Sequence, residues 1–266
     1  MQLSVQLTLT VVTGALVLGV VLLILRAWQW RSYTPADGGG GTETAGAHAE
    51  KPAGLIRWLT TVDHKDIGIL YGVYSIVTLF WGGTAVLLMR TELLVPGELL
   101  LGAQTYNALL TSHGITMLLL FGTPAIAAAG NYVIPLLIGA DDMAFPRINA
   151  IAFWLLPFAT VLVWGGFFLE PLTGGAIEGA QTSWTMYTPL SVEQPNPGVD
   201  LMLLGLHLSG VSTTMGAINF IATIFTERGP GVDWARLDIF SWTVLTQSGI
   251  ILFAFPLLGS GLVMLL

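Results

Sequence analysis

The chain has 266 residues, of which 54% are hydrophobic and 9% are charged, and its formal net charge is −7 at pH 7. Charged residues make up roughly a quarter of an ordinary globular domain. The composition of this chain therefore excludes an ordinary globular domain and favours a membrane protein. The acidic balance argues against nucleic-acid binding. The absence of cysteine excludes disulfides, thiolate metal sites and cysteine nucleophiles.

Six apolar stretches are each long enough to cross a hydrocarbon layer of about 30 Å, which takes roughly 20 helical residues. They predict an all-α, polytopic bundle with membrane helices near residues 5–25, 68–90, 106–139, 148–169, 200–225 and 239–266. The first stretch has no basic residue before it, so we expect a retained anchor over 1–32 and not a signal peptide. Residues 33–56 predict a flexible Gly/Ala linker that contains His48, and 57–266 predict the helical core.

The basic residues predict the orientation of the chain. All but one of the nine lie in alternate loops: Arg26, Arg31, Lys51, Arg57, Lys65, Arg147, Arg228 and Arg236. The intervening loops, 91–105 and 170–199, contain glutamates but neither lysine nor arginine. Because cytoplasmic loops collect Lys and Arg, this pattern places the N-terminus outside.

Two ionisable groups lie in the outer halves of predicted membrane helices. Arg90, at the outer end of the second helix, either extends to the interface or has a functional partner. His113 lies in the third helix, at a depth predicted to be similar to that of Arg90. A buried imidazole needs a partner, and either a hydrogen bond to a neighbouring helix or a haem iron would supply one.

Polar groups continue towards the inner side of the third helix. Pro124 and Pro135 predict a kink, which Asn131 would stabilise. Beyond them, Asp141 and Asp142 lie in the loop LIGADDMAFPRIN. The two carboxylates either favour the N-terminus of the following helix or form a mouth for proton uptake.

The fifth helix has one polar face, because small and polar residues recur there at steps of three and four. These residues are Ser209, Ser212, Thr213, Gly216 and Asn219. The face serves either close helix packing or a file of waters. His207 falls off this face and is predicted to be structural.

Five separated motifs resemble the core subunit of haem–copper terminal oxidases, in the order and spacing of that family. They are DHKDIGILYGVYS, TSHGITM, GNYVIPLLIGADDMAFPRIN, SWTMYTPL and HLSGVSTTMGAINFIATI. The resemblance implies the first helices of a twelve-helix fold in the plasma membrane, in a proton-pumping enzyme that reduces dioxygen to water. The family's copper ligands, its high-spin haem ligand and the second ligand of its low-spin haem lie beyond Leu266. We therefore expect this part alone to be inactive.

The resemblance implies a low-spin haem, expected to be of the a type, with His113 as an axial ligand. Other matching positions around this haem are Arg90, Gly82, Trp184 and Tyr187. Glu92 and Gly97 resemble two residues of an outer cation site found in some relatives.

The resemblance also implies a D-type proton pathway. Asp142 matches its entrance carboxylate, and Asn131 and Asn149 match amides near the entrance. The polar face above it corresponds to Ser209, Ser212, Thr213 and Asn219. Ala152 stands where relatives often have serine, which removes one hydrogen-bonding group from the wall of the channel.

The electron donor is implied by three positions. Quinol-oxidising relatives carry an arginine, an aspartate and a histidine where this chain has Trp81, Ala85 and Thr105, so the implied donor is cytochrome c or a small copper protein. Expected partners are subunit II, other oxidase subunits and the lipid bilayer, while the high-spin haem and copper are expected only with the rest of the subunit. Two alternatives are a nitric oxide reductase of the same superfamily, whose members generally lack the IGADDMAFPRIN entrance, and a non-enzymatic polytopic membrane protein.

Overall fold

The computed structural model describes residues 54–266. The predicted anchor over 1–32 and the linker up to residue 53, with His48, lie outside the described residues. A short helix, α1 (Leu55–Thr60), comes first, and the Thr61 N–H donates to the Arg57 carbonyl at its end. The second compact unit begins at Val62.

All regular elements of the described part are helical, which confirms the predicted fold class. In chain order they are α2 (His64–Glu92), α3 (Ala103–Ile115), a π-helical segment (Thr116–Gly122), α4 (Thr123–Ile138), α5 (Pro146–Val163), α6 (Gly165–Thr173), α7 (Pro197–Thr226), a 3₁₀ turn (Trp234–Arg236) and α8 (Ile239–Leu265).

Five helical runs of the described part are long and apolar enough to cross a membrane: α2, the continuous run Ala103–Ile138, α5, α7 and α8. These runs confirm five of the six predicted spans. The predicted bounds of the fourth span, 148–169, were wrong, because α5 ends at Val163 and a separate helix, α6, follows Trp164.

Side-chain caps start three of these helices. The Asp63 carboxylate accepts the N–H groups of the first turn of α2, and the Asn196 side chain accepts the Gly198 N–H at the start of α7. Asp238 accepts both the backbone N–H and the hydroxyl of Ser241 at the start of α8. Each cap satisfies a donor that has no partner within its helix and contributes about 1 kcal/mol.

The π-helical segment follows from Pro124. Proline has no N–H, so it leaves the Leu120 carbonyl without its usual donor four residues along. The Thr78 hydroxyl of α2 donates to that carbonyl at 2.9 Å, and the Thr123 hydroxyl donates to Leu118 at 3.2 Å. The helix therefore continues through the predicted kink, and π segments of this kind occur often beside functional residues.

Small residues allow the helices to approach closely. A Cβ at Gly205 of α7 would lie 2.8 Å from the Ala159 carbonyl oxygen and 2.9 Å from the Val163 nitrogen of α5. A Cβ at Gly68 of α2 would lie 3.0 Å from the backbone nitrogen of Tyr132 in α4. These two close approaches fix the register of α7 against α5 and of α2 against α4.

Candidate functional site

The His113 imidazole is oriented by the backbone of α2. Its Nδ1 lies 2.8 Å from the Gly82 carbonyl oxygen. A carbonyl only accepts, so Nδ1 carries the proton, and the lone pair of Nε2 is available for a metal. Gly82 is buried, and a Cβ there would lie 2.8 Å from the Met117 sulfur. The glycine thus allows α2 to pass close to the turn that carries His113.

The loop that follows α6 packs against the same turn. A Cβ at Gly114, the residue after His113, would lie 3.0 Å from the Trp184 Cβ. The Ser183 N–H donates to the Thr111 hydroxyl at 2.9 Å, which holds the loop on α3. The structure therefore brings together three of the predicted haem residues, His113, Gly82 and Trp184. The Trp184 side chain is 52% exposed, so part of the indole is open to a further group.

The other two predicted haem residues are not joined to this cluster by a hydrogen bond within the described residues. Tyr187 is 74% exposed, and Arg90 is exposed near the end of α2. Eight residues separate Arg90 from Gly82, the partner of His113, which corresponds to about 12 Å along a helix. A long arginine side chain spans part of that distance, and the similar depth of Arg90 and His113 stays a prediction.

The predicted cation residues have a different environment. The Glu92 carboxylate accepts the N–H groups of Leu99, Leu100 and Leu101 at 2.7, 2.7 and 2.8 Å, which anchors the loop after α2. Gly97 lies in that loop with φ +93°, a conformation that favours glycine. In the part of the chain that the structure describes, no group of three or more His, Cys, Asp or Glu side chains forms a metal cluster.

At the other end of the bundle, Asp142 is partly buried against the start of α2. Its Oδ1 accepts the backbone N–H of Met143 at 2.7 Å and that of His64 at 3.2 Å. Burial raises the pKa of the Asp142 carboxyl, and the Met143 N–H and the neighbouring His64 partly oppose this rise. The group therefore binds a proton more readily than a solvated aspartate does.

The His64 ring completes a buried chain of polar groups. Pro135 has no N–H to donate to the Asn131 carbonyl, and His64 Nδ1 donates to that carbonyl at 2.9 Å instead. The Asn149 amide donates to the Asn131 side-chain oxygen at 2.6 Å. The predicted entrance residues Asp142, Asn131 and Asn149 thus lie in one cluster, and His64 joins them.

Asn219 lies outside this cluster and holds the Asp142 loop on α7. Its side-chain oxygen accepts the Phe145 N–H at 2.8 Å, and its amide donates to the Phe145 carbonyl at 3.3 Å. The Thr223 hydroxyl accepts the Ala144 N–H one turn further on. On the adjacent side, the Gly229 N–H donates to the Ile138 carbonyl. These contacts fix the entrance loop from two directions.

A cavity lies between the entrance cluster and the middle of the bundle, with about 40 Å³ open to water-sized spheres. A water needs roughly 10–15 Å³ by this measure, so the cavity has room for about three. Of the predicted polar face, Ser212, Thr213 and Gly216 line the cavity, whereas Ser209 and Asn219 are buried outside its wall. Its other polar lining residues are Tyr71, Thr123, Asn131, Gln247 and Ser248.

His207 packs away from these sites. Its Nδ1 is buried and has no hydrogen-bond partner among the described residues, and a Cβ at Gly259 of α8 would lie 3.4 Å from it. The ring lines an apolar cleft between α7 and α8. This placement agrees with its predicted position off the polar face.

Comparison with known proteins identifies the family. Residues 66–266 match the family model described as Cytochrome C and Quinol oxidase polypeptide I. The chain belongs to this family. It is 66% identical over 264 residues to the cytochrome c oxidase polypeptide 1 of Halobacterium salinarum, and 47% identical over 213 residues to a putative cytochrome c oxidase subunit 1-beta of Streptomyces coelicolor. It is also 45% identical over 220 residues to a probable cytochrome c oxidase subunit 1-beta of Nocardia farcinica.

The alignments differ in how much of each chain they cover. The Halobacterium relative aligns with 98% of this chain, so it shares much of the N-terminal region that lies outside the family model. The other two relatives align with 79% and 82% of this chain. The matched region spans 44%, 36% and 36% of the three relatives, which is less than half of the family's subunit I.

Two of the three positions relevant to the electron donor, Trp81 and Ala85, lie on α2 among apolar groups, and the third, Thr105, is exposed. Trp81 stacks edge-on against Trp164, with ring centroids 5.6 Å apart, and lies 6.2 Å from Phe168. Ala85 is buried one turn further along α2. This part of α2 presents an indole and a methyl group, and neither carries a charge.

Sequence reasoning missed four residues of the two sites. His64 and Tyr71 lie within the motif DHKDIGILYGVYS, where the sequence indicates the resemblance but no separate role for either residue. Gln247 and Ser248 lie in the last predicted span, where two polar residues among apolar ones are a weak signal. A polar pair in a membrane helix is otherwise a reason to search for a partner.

Proposed function

We propose that the chain forms the N-terminal part of the catalytic subunit of a proton-pumping cytochrome c oxidase, in which it ligates the low-spin haem and opens a proton pathway from the inner face. The 66% identity to a cytochrome c oxidase polypeptide 1 supports this family role. The observation that carries the proposal is the geometry of His113, because its Nδ1 is bonded to the Gly82 carbonyl and its Nε2 is available to a metal.

The residues around His113 fit a haem. The Gly82 carbonyl holds the Nδ1 proton, fixes the plane of the ring and makes Nε2 a better ligand. Gly114 lets the Trp184 loop pack directly beside the ligand, and Arg90 places a cation towards the outer end of α2. A haem bound here would accept and pass on single electrons. His113 would supply its axial ligand, and Trp184, Arg90 and Tyr187 would surround its edge.

At the inner end, Asp142 would take up protons. Its raised pKa favours proton binding, and the His64 and Met143 N–H groups still support the carboxylate when the proton leaves. Asn131 and Asn149 form the next polar layer, and the water-sized cavity extends from there to Ser212 and Thr213. Ser209 and Asn219 belong to the same face of α7, and Asn219 acts by holding the entrance loop.

The remaining parts of the proposal follow the relatives. Because Trp81 and Ala85 offer no charged group to a quinone, cytochrome c or a small copper protein is the proposed donor. Subunit II and other oxidase subunits are the proposed partners, and the rest of subunit I would contribute the high-spin haem and copper. We place the chain in the plasma membrane with its N-terminus outside, as an anchor over 1–32, a linker over 33–56 and an oxidase core over 57–266.

The experiment uses the complete oxidase with two substitutions, each with a matched control. His113→Ala should remove the low-spin haem band from the reduced-minus-oxidised spectrum, whereas His48→Ala should retain it. Asp142→Asn should slow proton uptake from the inner face, whereas Asp141→Asn, at the exposed neighbour, should not. Retention of the low-spin band in His113→Ala would refute the ligand assignment. Unchanged proton translocation per electron in Asp142→Asn would refute the entrance.

A further inference from the structure

One face of α8 forms a wall of the cavity between the entrance cluster and the middle of the bundle. Val244, Gln247, Ser248 and Ile251 line it. Their spacing of three, four and seven residues puts them on one side of the helix. Two of the four are polar, in the helix with the highest mean hydropathy of the five spans. The face therefore brings an amide and a hydroxyl to the same small volume.

Three hydroxyl groups on the opposite walls of the cavity, those of Ser212, Thr213 and Thr123, already donate to backbone carbonyls. Ser212 donates to Ala152 at 2.6 Å, and Thr213 donates to Ser209 at 2.9 Å. By contrast, the Gln247 amide and the Ser248 hydroxyl make no hydrogen bond within residues 54–266. The α8 wall thus contributes two side chains, Gln247 and Ser248, whose donors no protein group in the described part of the chain accepts.

The arrangement is specific to this face of α8. Two other hydroxyls of the same helix, Thr243 and Thr246, donate to the carbonyls of Ile239 and Trp242, four residues earlier, at 2.7 and 2.9 Å. Ser248 does not make this local bond, although it is only 2% exposed. A hydroxyl without a partner in such a place is unfavourable, and a water in the cavity would satisfy it.

We infer that Gln247 and Ser248 are positioning residues of the proton pathway: they hold the waters that connect the Asn131 layer with Ser212 and Thr213. This inference rests on the proposed function, because it assumes that protons enter at Asp142. Each water needs two to four polar partners, and the opposite walls supply mainly lone pairs. The amide of Gln247 and the hydroxyl of Ser248 supply the complementary donors and so orient the row of waters in the cavity.

The test uses Ser248→Ala and Gln247→Met in the complete oxidase, with Thr246→Ala as the matched control on the exposed face of α8. Proton uptake from the inner face is measured in a single turnover in H₂O and D₂O, together with the rate at which the low-spin haem is reduced. The loss of one hydrogen bond to the row of waters should slow proton uptake about fivefold in each variant and change the solvent isotope effect. Haem reduction should be unchanged, and Thr246→Ala should behave as the wild type.

The conservative variant Gln247→Asn keeps an amide and should be faster than Gln247→Met. Wild-type uptake in Ser248→Ala and Gln247→Met, with slow uptake in Asp142→Asn, would overturn the inference and leave the proposed function intact. Unchanged uptake in Asp142→Asn would refute the proposed entrance itself. If Ser248→Ala does not assemble, Gln247→Met and Gln247→Asn decide the question, and equal rates in these two variants would count against the inference.

Discussion

The hydrogen bond from His64 to the Asn131 carbonyl exists because Pro135 leaves that carbonyl without a donor. It is 2.9 Å long and buried, and His64 is 2% exposed. His64→Ala would leave the carbonyl unsatisfied, which costs about 1–3 kcal/mol, in addition to the loss of packing around the ring. In a Pro135→Ala background the new N–H of residue 135 can reach the same carbonyl, so the penalty of His64→Ala should fall.

A double-mutant cycle measures this compensation. The four proteins, wild type, His64→Ala, Pro135→Ala and the double variant, are unfolded thermally in detergent. The coupling between the two substitutions should be about 1 kcal/mol in the compensating direction. For a domain of this size each kcal/mol corresponds to a shift in Tm of roughly 2–4 °C.

Additive effects of the two substitutions would contradict the proposed link. If the two substitutions were additive within about 0.3–0.5 kcal/mol, the Asn131 carbonyl would not be the group that links His64 to Pro135. A matched cycle pairs His64→Ala with Pro157→Ala in α5, a proline that frees the carbonyl of Phe153 and not that of Asn131. This control cycle should be additive.

Two further predictions concern packing and pH. Gly205→Ala should destabilise the fold by about 1–3 kcal/mol, because its Cβ would meet the backbone of Ala159 and Val163 at 2.8–2.9 Å. The control Gly261→Ala, whose Cβ would have nothing within 4 Å, should be neutral or slightly stabilising. Equal Tm values for the two variants would contradict the close approach of α5 and α7. The raised pKa of Asp142 means that its contribution to stability is fully present below the ordinary pKa of an aspartate and is lost as the pH rises through the folded-state value. Asp142→Asn keeps the carbonyl acceptor without this loss, so its Tm should exceed that of the wild type at pH 7–8, and the difference should vanish near pH 4; a constant difference would contradict the pKa shift.

The membrane helices could be predicted from sequence because their signal is long and one-dimensional. About 20 apolar residues are readable whatever packs around them, and the five described spans appeared as expected. The fourth span ended early because Trp164 and the two glycines after it interrupt a stretch that hydropathy alone joins. A hydropathy profile does not detect the break between two helices at Trp164, because the residues on both sides are apolar.

Part of the His113 and Asp142 sites could be predicted from residue types in motifs, and not from hydropathy. His113, Asp142, Asn131 and Asn149 lie in motifs with recognisable residue types, and the structure groups the last three together. Their partners depend on contacts between helices far apart in sequence. The Gly82 carbonyl is 31 residues from His113, and no pattern of side chains marks a backbone oxygen as a ligand partner.

Helix α2 connects the two proposed sites. Its backbone accepts from His113 at Gly82, its Thr78 side chain donates to the carbonyl freed by Pro124, and its His64 side chain donates to the carbonyl freed by Pro135.

The register of α2 also fixes how far the proposed haem ligand lies from the proposed proton entrance. The 18 residues from His64 to Gly82 correspond to about 27 Å along the helix axis, close to the thickness of the hydrocarbon layer. A proton taken up at Asp142, as proposed, would therefore be nearly a membrane width from the level of His113. Side chains alone do not bridge that distance, so the proposed pathway would have to continue through the cavity, which has polar groups from α2, α4, α7 and α8.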